Sequence, residues 1–391
     1  MKKKNDKYHN FCRIKFNNTK LERAQIPHRS PLLSGSSSEC KSPIANVLEA
    51  IGNSISQHKL EDVNGGKLSS LTVFSECLKF LKDDVLAYMK HMFTDIIRMR
   101  DFYWIITVPT FWSDHGKQFM RLAARQAGIV DELLSLVDEP VAVAIYCKMW
   151  QSTKCITSPK EQDDKNNTMT AFDTAGKFLV INCGEDMVHI SAYKNQESNK
   201  HIELIRPTRV PCGGRDVDNQ FLNLVIEIFG VDIWHKFEQK YRFECLKTMR
   251  RIESKRSVIG SSDADEVKIR LPAELFQEYR WETGLEFRSA KGVTRSRDKL
   301  VFPIQVLNDF FEKSANEIAC HVRQLLQKPE LEGLGTIFMA GSFSESPFLY
   351  EHMKSEFSSF NVLRPKESGL SGLKGAVIFG FTPETIPDAY L

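Results

Sequence analysis

The run Tyr103-Trp104-Ile105-Ile106-Thr107-Val108, closed by Pro109, restricts this chain more than any other feature. A near-continuous β-branched and aromatic segment has no polar face to give to water, so it fits a strand covered on both sides. Such cover takes helices, and the flanking sequence supplies them. Leu71, Phe74, Leu78, Leu81 and Val85 recur at helical spacing, and Met89, Phe93 and Ile96 extend the stripe. Beyond the run, Ser113 or Asp114 can cap a helix striped by Phe119, Leu122, Ala123 and Ala127, with Gly128 as its stop. A short apolar strand at 133–137 completes a βαβ-like unit.

Residues 151–170 are polar and predict a loop or hinge insertion. After them, 177–182 and 188–193 alternate as two strands around the turn-like Cys183-Gly184-Glu185-Asp186, a hairpin pattern. Gly213-Gly214 then opens a helix from about Asp216 to Phe229, a position suited to anion contact. Helical segments recur at 234–258 and at 304–327, the latter striped by Leu307, Phe310, Phe311, Ile318, Val322, Leu325 and Leu326. Thr336 to Ala340 reads as a strand ending in Gly341-Ser342, with a helix from Pro347. The expected class is α/β with hairpins, in two lobes.

Composition narrows the function classes. An apolar fraction of 42% in 391 residues leaves enough material for a core, and Lys+Arg 53 against Asp+Glu 50 is too balanced for nucleic-acid binding to be the expectation. The basic excess sits at the start: residues 1–43 carry ten Lys/Arg and three Asp/Glu, which predicts a flexible basic leader over 1–54. No apolar run follows that would make a signal peptide or a membrane span, so a cytoplasmic protein is expected. Nine cysteines without a Cys-x-x-Cys suggest neither a disulfide framework nor a zinc site. Cys77, Cys147, Cys245 and Cys320 read as small buried hydrophobes, while Cys183 and Cys212 are placed for reactive thiols. His115, His189, His201 and His235 lack metal spacing. Asp216 and Asp218, two apart at a helix start, are capping and dipole-complementary residues rather than a hydrolase pair.

Five motifs stand in order: Trp104 to Pro109 followed by Lys117-Gln118-Phe119-Met120-Arg121; Asp138-Glu139-Pro140-Val141-Ala142; Gly213-Gly214-Arg215-Asp216-Val217-Asp218; Ala340-Gly341-Ser342-Phe343-Ser344-Glu345-Ser346-Pro347; and Arg364-Pro365 with Gly372-Leu373-Lys374-Gly375-Ala376-Val377. Together they resemble the ATPase domain of the 70-kDa heat-shock family, in its atypical heat shock 70 kDa protein 12 branch, from about residue 69 to 391. The resemblance implies an actin-like (ribonuclease H-like) fold of two α/β lobes, with ATP and Mg²⁺ in a cleft between phosphate-binding hairpins. It divides the chain into a remnant of lobe one over 55–155, a polar hinge or insertion over 156–170, and lobe two with its helical subdomain over 171–391.

The chain departs from that pattern where phosphate chemistry is done. The family's first Asp-x-Gly-Thr-Thr hairpin has no counterpart in residues 1–68, so lobe one is expected to be incomplete at its N-terminus, with an unpaired edge or uncovered face beside strand 103–108. The second hairpin, Asp-x-Gly-Gly-Gly-Thr-x-Asp in the family, stands here as Asn182-Cys183-Gly184-Glu185-Asp186-Met187-Val188-His189. Both metal-facing aspartates are replaced, and only Gly184 survives of the cradle. Like charges at about 5 Å and an effective dielectric near 20 cost roughly 3 kcal/mol, so Glu185 and Asp186 are expected to repel phosphate; the alternative is that they serve as substitute Mg²⁺ ligands. By resemblance, Glu139 corresponds to the residue that orients the attacking water, Gly213 and Gly214 to the lobe-two phosphate glycines, Lys255 and Arg256 to the basic pair that contacts adenosine, and Gly341 and Ser342 to the adenine-side Gly-Gly turn. The first three have plainer readings: a carboxylate at a strand-turn junction, tight helix packing, and the solvated face of a charged helix.

The expectation is a degenerate, non-hydrolysing domain that acts by binding a protein partner, not nucleic acid. The alternatives are an ATP- or ADP-binding chaperone-like protein with a rebuilt site, Mg²⁺ entering only with nucleotide, or a truncated product of a larger heat-shock ATPase. The chain stops about where the family's nucleotide domain does, so peptide clamping is not carried over.

Overall fold

A computed structural model describes residues 12–14, 59–61, 66–93, 98–157, 176–195, 201–256, 259 and 265–381. In chain order the strands and helices are β1 (Cys12–Ile14), β2 (Lys59–Glu61), β3 (Lys67–Ser69), α1 (Ser70–Phe93), β4 (Trp104–Val108), α2 (Asp114–Gln126), β5 (Leu134–Asp138), α3 (Glu139–Thr157), β6 (Lys177–Cys183), β7 (Val188–Asn195) and β8 (His201–Val210). There follow α4 (Gly214–Phe229), α5 (Val231–Lys240), α6 (Arg242–Lys255), β9 (Glu266–Arg270), α7 (Ala273–Thr283), β10 (Ser289–Ala290), β11 (Val293–Ser296), β12 (Lys299–Pro303), α8 (Ile304–Leu326), β13 (Leu334–Ala340), α9 (Pro347–Glu356), β14 (Asn361–Leu363) and α10 (Ser371–Phe381). The chain forms two compact units, one of Met1–Ala175, Asn195–Ile202 and Leu370–Leu391, the other of Gly176–Lys194 and Glu203–Gly369.

The first unit is built around β4, whose five residues are all buried. β4 pairs in parallel with β5 on one side and with β1 on the other. Because side chains alternate across a strand, the run serves two cores at once. Trp104, Ile106 and Val108 enter a cluster with Phe74 and Leu78 of α1 and Phe119 and Met120 of α2, where the Phe74 and Phe119 rings meet edge to face at 5.2 Å. Ile105 faces the opposite way, into Val141, Ala142 and Ile145 of α3 and Ala376 and Phe379 of α10. The strand's two-sided apolarity is therefore used on both sides.

Three expectations change here. Cys12–Ile14, inside the stretch read as a leader, supplies β1 and covers the β4 edge expected to be unpaired, while the rest of 1–54 lies outside the described residues. The polar loop expected from 151 begins later, because α3 continues to Thr157. The C-terminal helix, assigned from sequence to lobe two, belongs to the first unit. Its buried residues Ser371, Gly372, Gly375, Ala376 and Phe379 form one face, and a Cβ on Gly375 would run into the Ala142 carbonyl. Gly375 thus lets α10 lie backbone to backbone on α3.

The second unit holds a mixed five-stranded sheet, in the order β14-β13-β6-β7-β8. β6 runs parallel to β13 and antiparallel to β7, as the hairpin pattern predicts, with Asn182 opposite His189 and Cys183 opposite Val188. An antiparallel sheet, β10-β11-β12-β9, accompanies the helices α4 to α7. One core joins these parts. Phe221 of α4 lies 4.6 Å from the ring of Phe302 in β12, and Leu307, Phe311, Ile318, Val322 and Leu325 of α8 are buried as their stripe requires.

Candidate functional site

The β6–β7 turn and the start of α4 are tied together through their backbones. Gly184 N–H donates to the Met187 carbonyl at 3.1 Å and closes the turn. The turn's own carbonyls then meet the helix: Gly214 N–H donates to Gly184 O at 3.2 Å and Arg215 N–H to Glu185 O at 2.9 Å. Gly213 N–H is taken by the Asp216 side chain at 2.8 Å, the capping role expected of that residue. The donors that a helix N-terminus would turn toward a phosphate are thus spent inside the protein. The glycines have another reason to be here. A Cβ on Gly213 would strike the Glu185 and Gly184 carbonyls, and one on Gly214 would overlap the Arg256 guanidinium. Close packing of hairpin, helix and Arg256 accounts for both.

The two acidic residues that stand where the family has glycines are each ion-paired. Asp186 Oδ1 lies 2.8 Å from Arg215 Nη1. Glu185 Oε2 lies 2.5 Å from Arg256 Nη2, both side chains 9% exposed. The Arg256 Nε sits 3.0 Å from Asp218 Oδ1, an ion pair without hydrogen-bond alignment, and Glu253 is 3.8 Å away. Burial works against the Arg256 charge, and Asp218 and Glu185 outweigh it, so its pKa is raised. Bare repulsion of phosphate, expected from sequence, is therefore corrected. The carboxylates are neutralised, and what they impose is occupancy.

Gly341 ends β13 with φ +86°, a conformation that favours glycine. A Cβ there would meet Cys183 O and, at 2.8 Å, Asn182 Oδ1. Ser342, which replaces the second glycine, donates its hydroxyl to Glu185 Oε1 at 2.6 Å. Behind it, Ser344 donates to Gly341 O at 2.7 Å, and Arg364 Nη1 donates to Ser344 O at 2.9 Å. Glu185, Arg250, Glu253, Arg256, Ser342 and Glu345 are among the residues that line a cavity of about 270 Å³ in this unit.

The second unit therefore brings together Gly184, Gly213, Gly214, Arg256, Gly341 and Ser342. Lys255 is half-buried and does not line the cavity. Arg256 is corrected from a solvated helix face to a buried cation, 7% exposed. Glu139 lies in the first unit as the first residue of α3, beside Gly372; its neighbour Asp138 is buried and pairs with Lys117 at 2.9 Å. Sequence reasoning missed Arg215, Asp218 and Arg364. The signal for the first two was charge compensation: arginines and acids placed beside the glycines that the turn's acids approach.

Metal and thiol chemistry gain no support from these contacts. Asn182 and His189 bring no carboxylate to the hairpin ends, and Glu185 and Asp186 are committed to arginines, so the residues present do not fit a phosphate-bound Mg²⁺. Among the described residues no group of three or more His, Cys, Asp or Glu could hold a metal ion. Cys183 and Cys212, expected as candidate reactive thiols, are buried. Burial pushes the Cys183 pKa up, and that of Cys212 to about 12, with Glu317 and Asp216 adding to the latter. Cys147 and Cys245 are buried as expected, Cys77 is half-buried, and Cys320 is exposed, on the outer side of α8.

The fold and site define an α/β protein with a mixed sheet, in which a strand-hairpin turn, a glycine-led helix and a Gly-Ser turn converge on one cavity. No family model matches the chain, but it is similar to known proteins. The chain is 26% identical to human heat shock 70 kDa protein 12A over 386 residues, which covers 87% of this chain and 57% of that protein. It is 25% identical to human heat shock 70 kDa protein 12B over 84% of this chain and 55% of that one. The mitochondrial-type heat shock protein 70 of Encephalitozoon cuniculi matches a shorter stretch, 23% identical over 44% of this chain. The chain is thus similar to heat shock 70 kDa proteins 12A and 12B over most of its length, and that similarity implies the actin-like fold. It spans a little over half the length of these heat shock 70 kDa protein 12A and 12B relatives. Among the described residues no helix is long and apolar enough to cross a membrane.

Proposed function

We propose that this chain is a degenerate heat shock 70 kDa protein 12-like nucleotide domain that does not hydrolyse ATP and acts in the cytoplasm by binding a protein partner. One observation carries the reading: Glu185 and Asp186 are held by Arg256 and Arg215 while the first N–H groups of α4 are bonded to the hairpin's own carbonyls. Phosphoryl transfer needs metal-neutralised phosphates held in line with a positioned water. In the second unit Glu185 and Asp186 are committed to arginines and no carboxylate is left at the hairpin to neutralise phosphate through a metal. Titration calorimetry of the full chain with ADP and ATP, with and without Mg²⁺, alongside phosphate release, tests this. The expected result is no Mg²⁺-dependent heat at micromolar nucleotide and no turnover.

A second reading keeps an ATP- or ADP-binding chaperone-like protein, and the cavity is what favours it. At about 270 Å³ it sits just under the usual range for ligand pockets, roughly 300–1,000 Å³, and has room for the base and sugar end of a nucleotide. Micromolar, Mg²⁺-dependent heat in the same titration would establish this reading and remove the first.

A further inference from the structure

We infer that Glu185 is a built-in anion, a tethered carboxylate that fills a cradle able to recognise the phosphate or carboxylate end of a small ligand. The inference rests on the reading above, that the unaltered chain does not hold nucleotide phosphates. Its starting point is Arg256. A guanidinium this deeply buried must be met by anions, because an unpaired buried charge is strongly destabilising. Asp218, 3.0 Å from its Nε, is part of α4, the element Arg256 packs on. Glu185 differs. It reaches in from the hairpin turn, and its two oxygens are bound by two separate donors, Oε2 by Arg256 at 2.5 Å and Oε1 by the Ser342 hydroxyl at 2.6 Å.

A cation and a hydroxyl converging on the two oxygens of one carboxylate is the chemistry that recognises an oxyanion. The bare Gly214 Cα is what lets the Arg256 guanidinium lie beside Glu185 Oε2, since a Cβ there would overlap it. Glu185, Arg256 and Ser342 all line the same cavity, so an anion freed of its competitor would enter from there. Tethering gives Glu185 a high effective concentration at these donors, and a weakly held free anion does not displace it. In the unaltered chain, then, the cavity accepts ligands without an anionic group at this end. With Glu185 removed, it accepts anionic ones.

The experiment uses the full chain as wild type, Glu185→Gly and Glu185→Gln, with pyrophosphate and ADP as probes, read by thermal melting and calorimetry without Mg²⁺. Glu185→Gly is expected to melt below wild type in anion-free buffer, to be raised by pyrophosphate, and to bind it about tenfold or more tighter than wild type. Glu185→Gln keeps an acceptor for Ser342 but removes one of the three carboxylates around Arg256, so its gain falls between the two. If Glu185→Gly does not fold, the glutamine variant alone must show a larger pyrophosphate shift than wild type. No gain over wild type in any variant that folds overturns the inference and leaves the proposed function standing. Micromolar Mg²⁺-dependent ADP binding by wild type overturns the proposed function whatever the variants do.

Discussion

Asp216 shows how one side chain at this site serves local structure and also sets a pH dependence. Its carboxylate caps α4 by accepting from Gly213 N–H at 2.8 Å. Burial raises its pKa above the ordinary 3.8, against the opposing pull of the Gly213 hydrogen bond, Lys313 and Arg215. The folded chain therefore keeps this proton at a pH where the unfolded chain has released it. It follows that Asp216 contributes stability below 3.8 which is lost as the pH rises through the folded value. Asp216→Asn keeps the cap acceptor and has no charge to titrate. The melting temperature of the variant relative to wild type should climb as the pH rises from 3.8 and then level off; a difference that stays flat would remove this account. Residue-scale chemistry was only partly legible in the sequence. The loss of Asp and Gly at the hairpin reads directly from Asn182, Glu185, Asp186 and His189. Their neutralisation by Arg215 and Arg256 does not, because an ion pair spanning 71 positions leaves no local pattern.

Among the elements, α10 and α3 give the sharpest contrast. A Cβ at Gly375 would collide with the backbone of Ala142, whereas one at Gly372 would meet only side chains, Glu139 at 3.4 Å and Val143 at 3.6 Å. Gly375→Ala should destabilise the first unit by about 1–3 kcal/mol through overpacking, even after the helix-propensity gain of about 1 kcal/mol. Gly372→Ala has that gain and little clash, so it should be neutral or slightly stabilising. Urea unfolding of both variants checks the pair, and equal effects would mean the helices slide apart freely. The strongly periodic elements were readable: α1, β4, α2, the β6–β7 hairpin and α8 all follow their stripes. β8 was not, since Glu203, Arg206 and Pro207 interrupt its alternation and only pairing in the sheet makes it a strand. Likewise α3 runs past 151 because helical hydrogen bonds tolerate a polar turn that composition alone reads as loop.

For the whole molecule, the two units have separate cores, and the first draws on widely separated stretches of chain. Removing Leu370–Leu391 takes α10 away from α3 and β4 and uncovers Ile105, Val137 and Ala142. Hydrogen exchange of the shortened chain should show β4 and α3 losing protection while β6 and β13 keep theirs. Equal loss in both sets would mean that the units unfold as one. The sequence reading put α10 with residues 171–391, whereas it packs with α3 in the first compact unit. A glycine-rich helix carries little periodic signal, and its docking partner lies more than two hundred positions upstream, a long-range contact that no local window contains.

That arrangement has a consequence for synthesis. As the chain leaves the ribosome, β4, α2, β5 and α3 emerge early, yet the α10 face that covers Ile105 and Ala142 comes only after every residue of the second unit. The second unit can close on its own core while the first still exposes an apolar surface, so the part of the protein made first is the last to be finished.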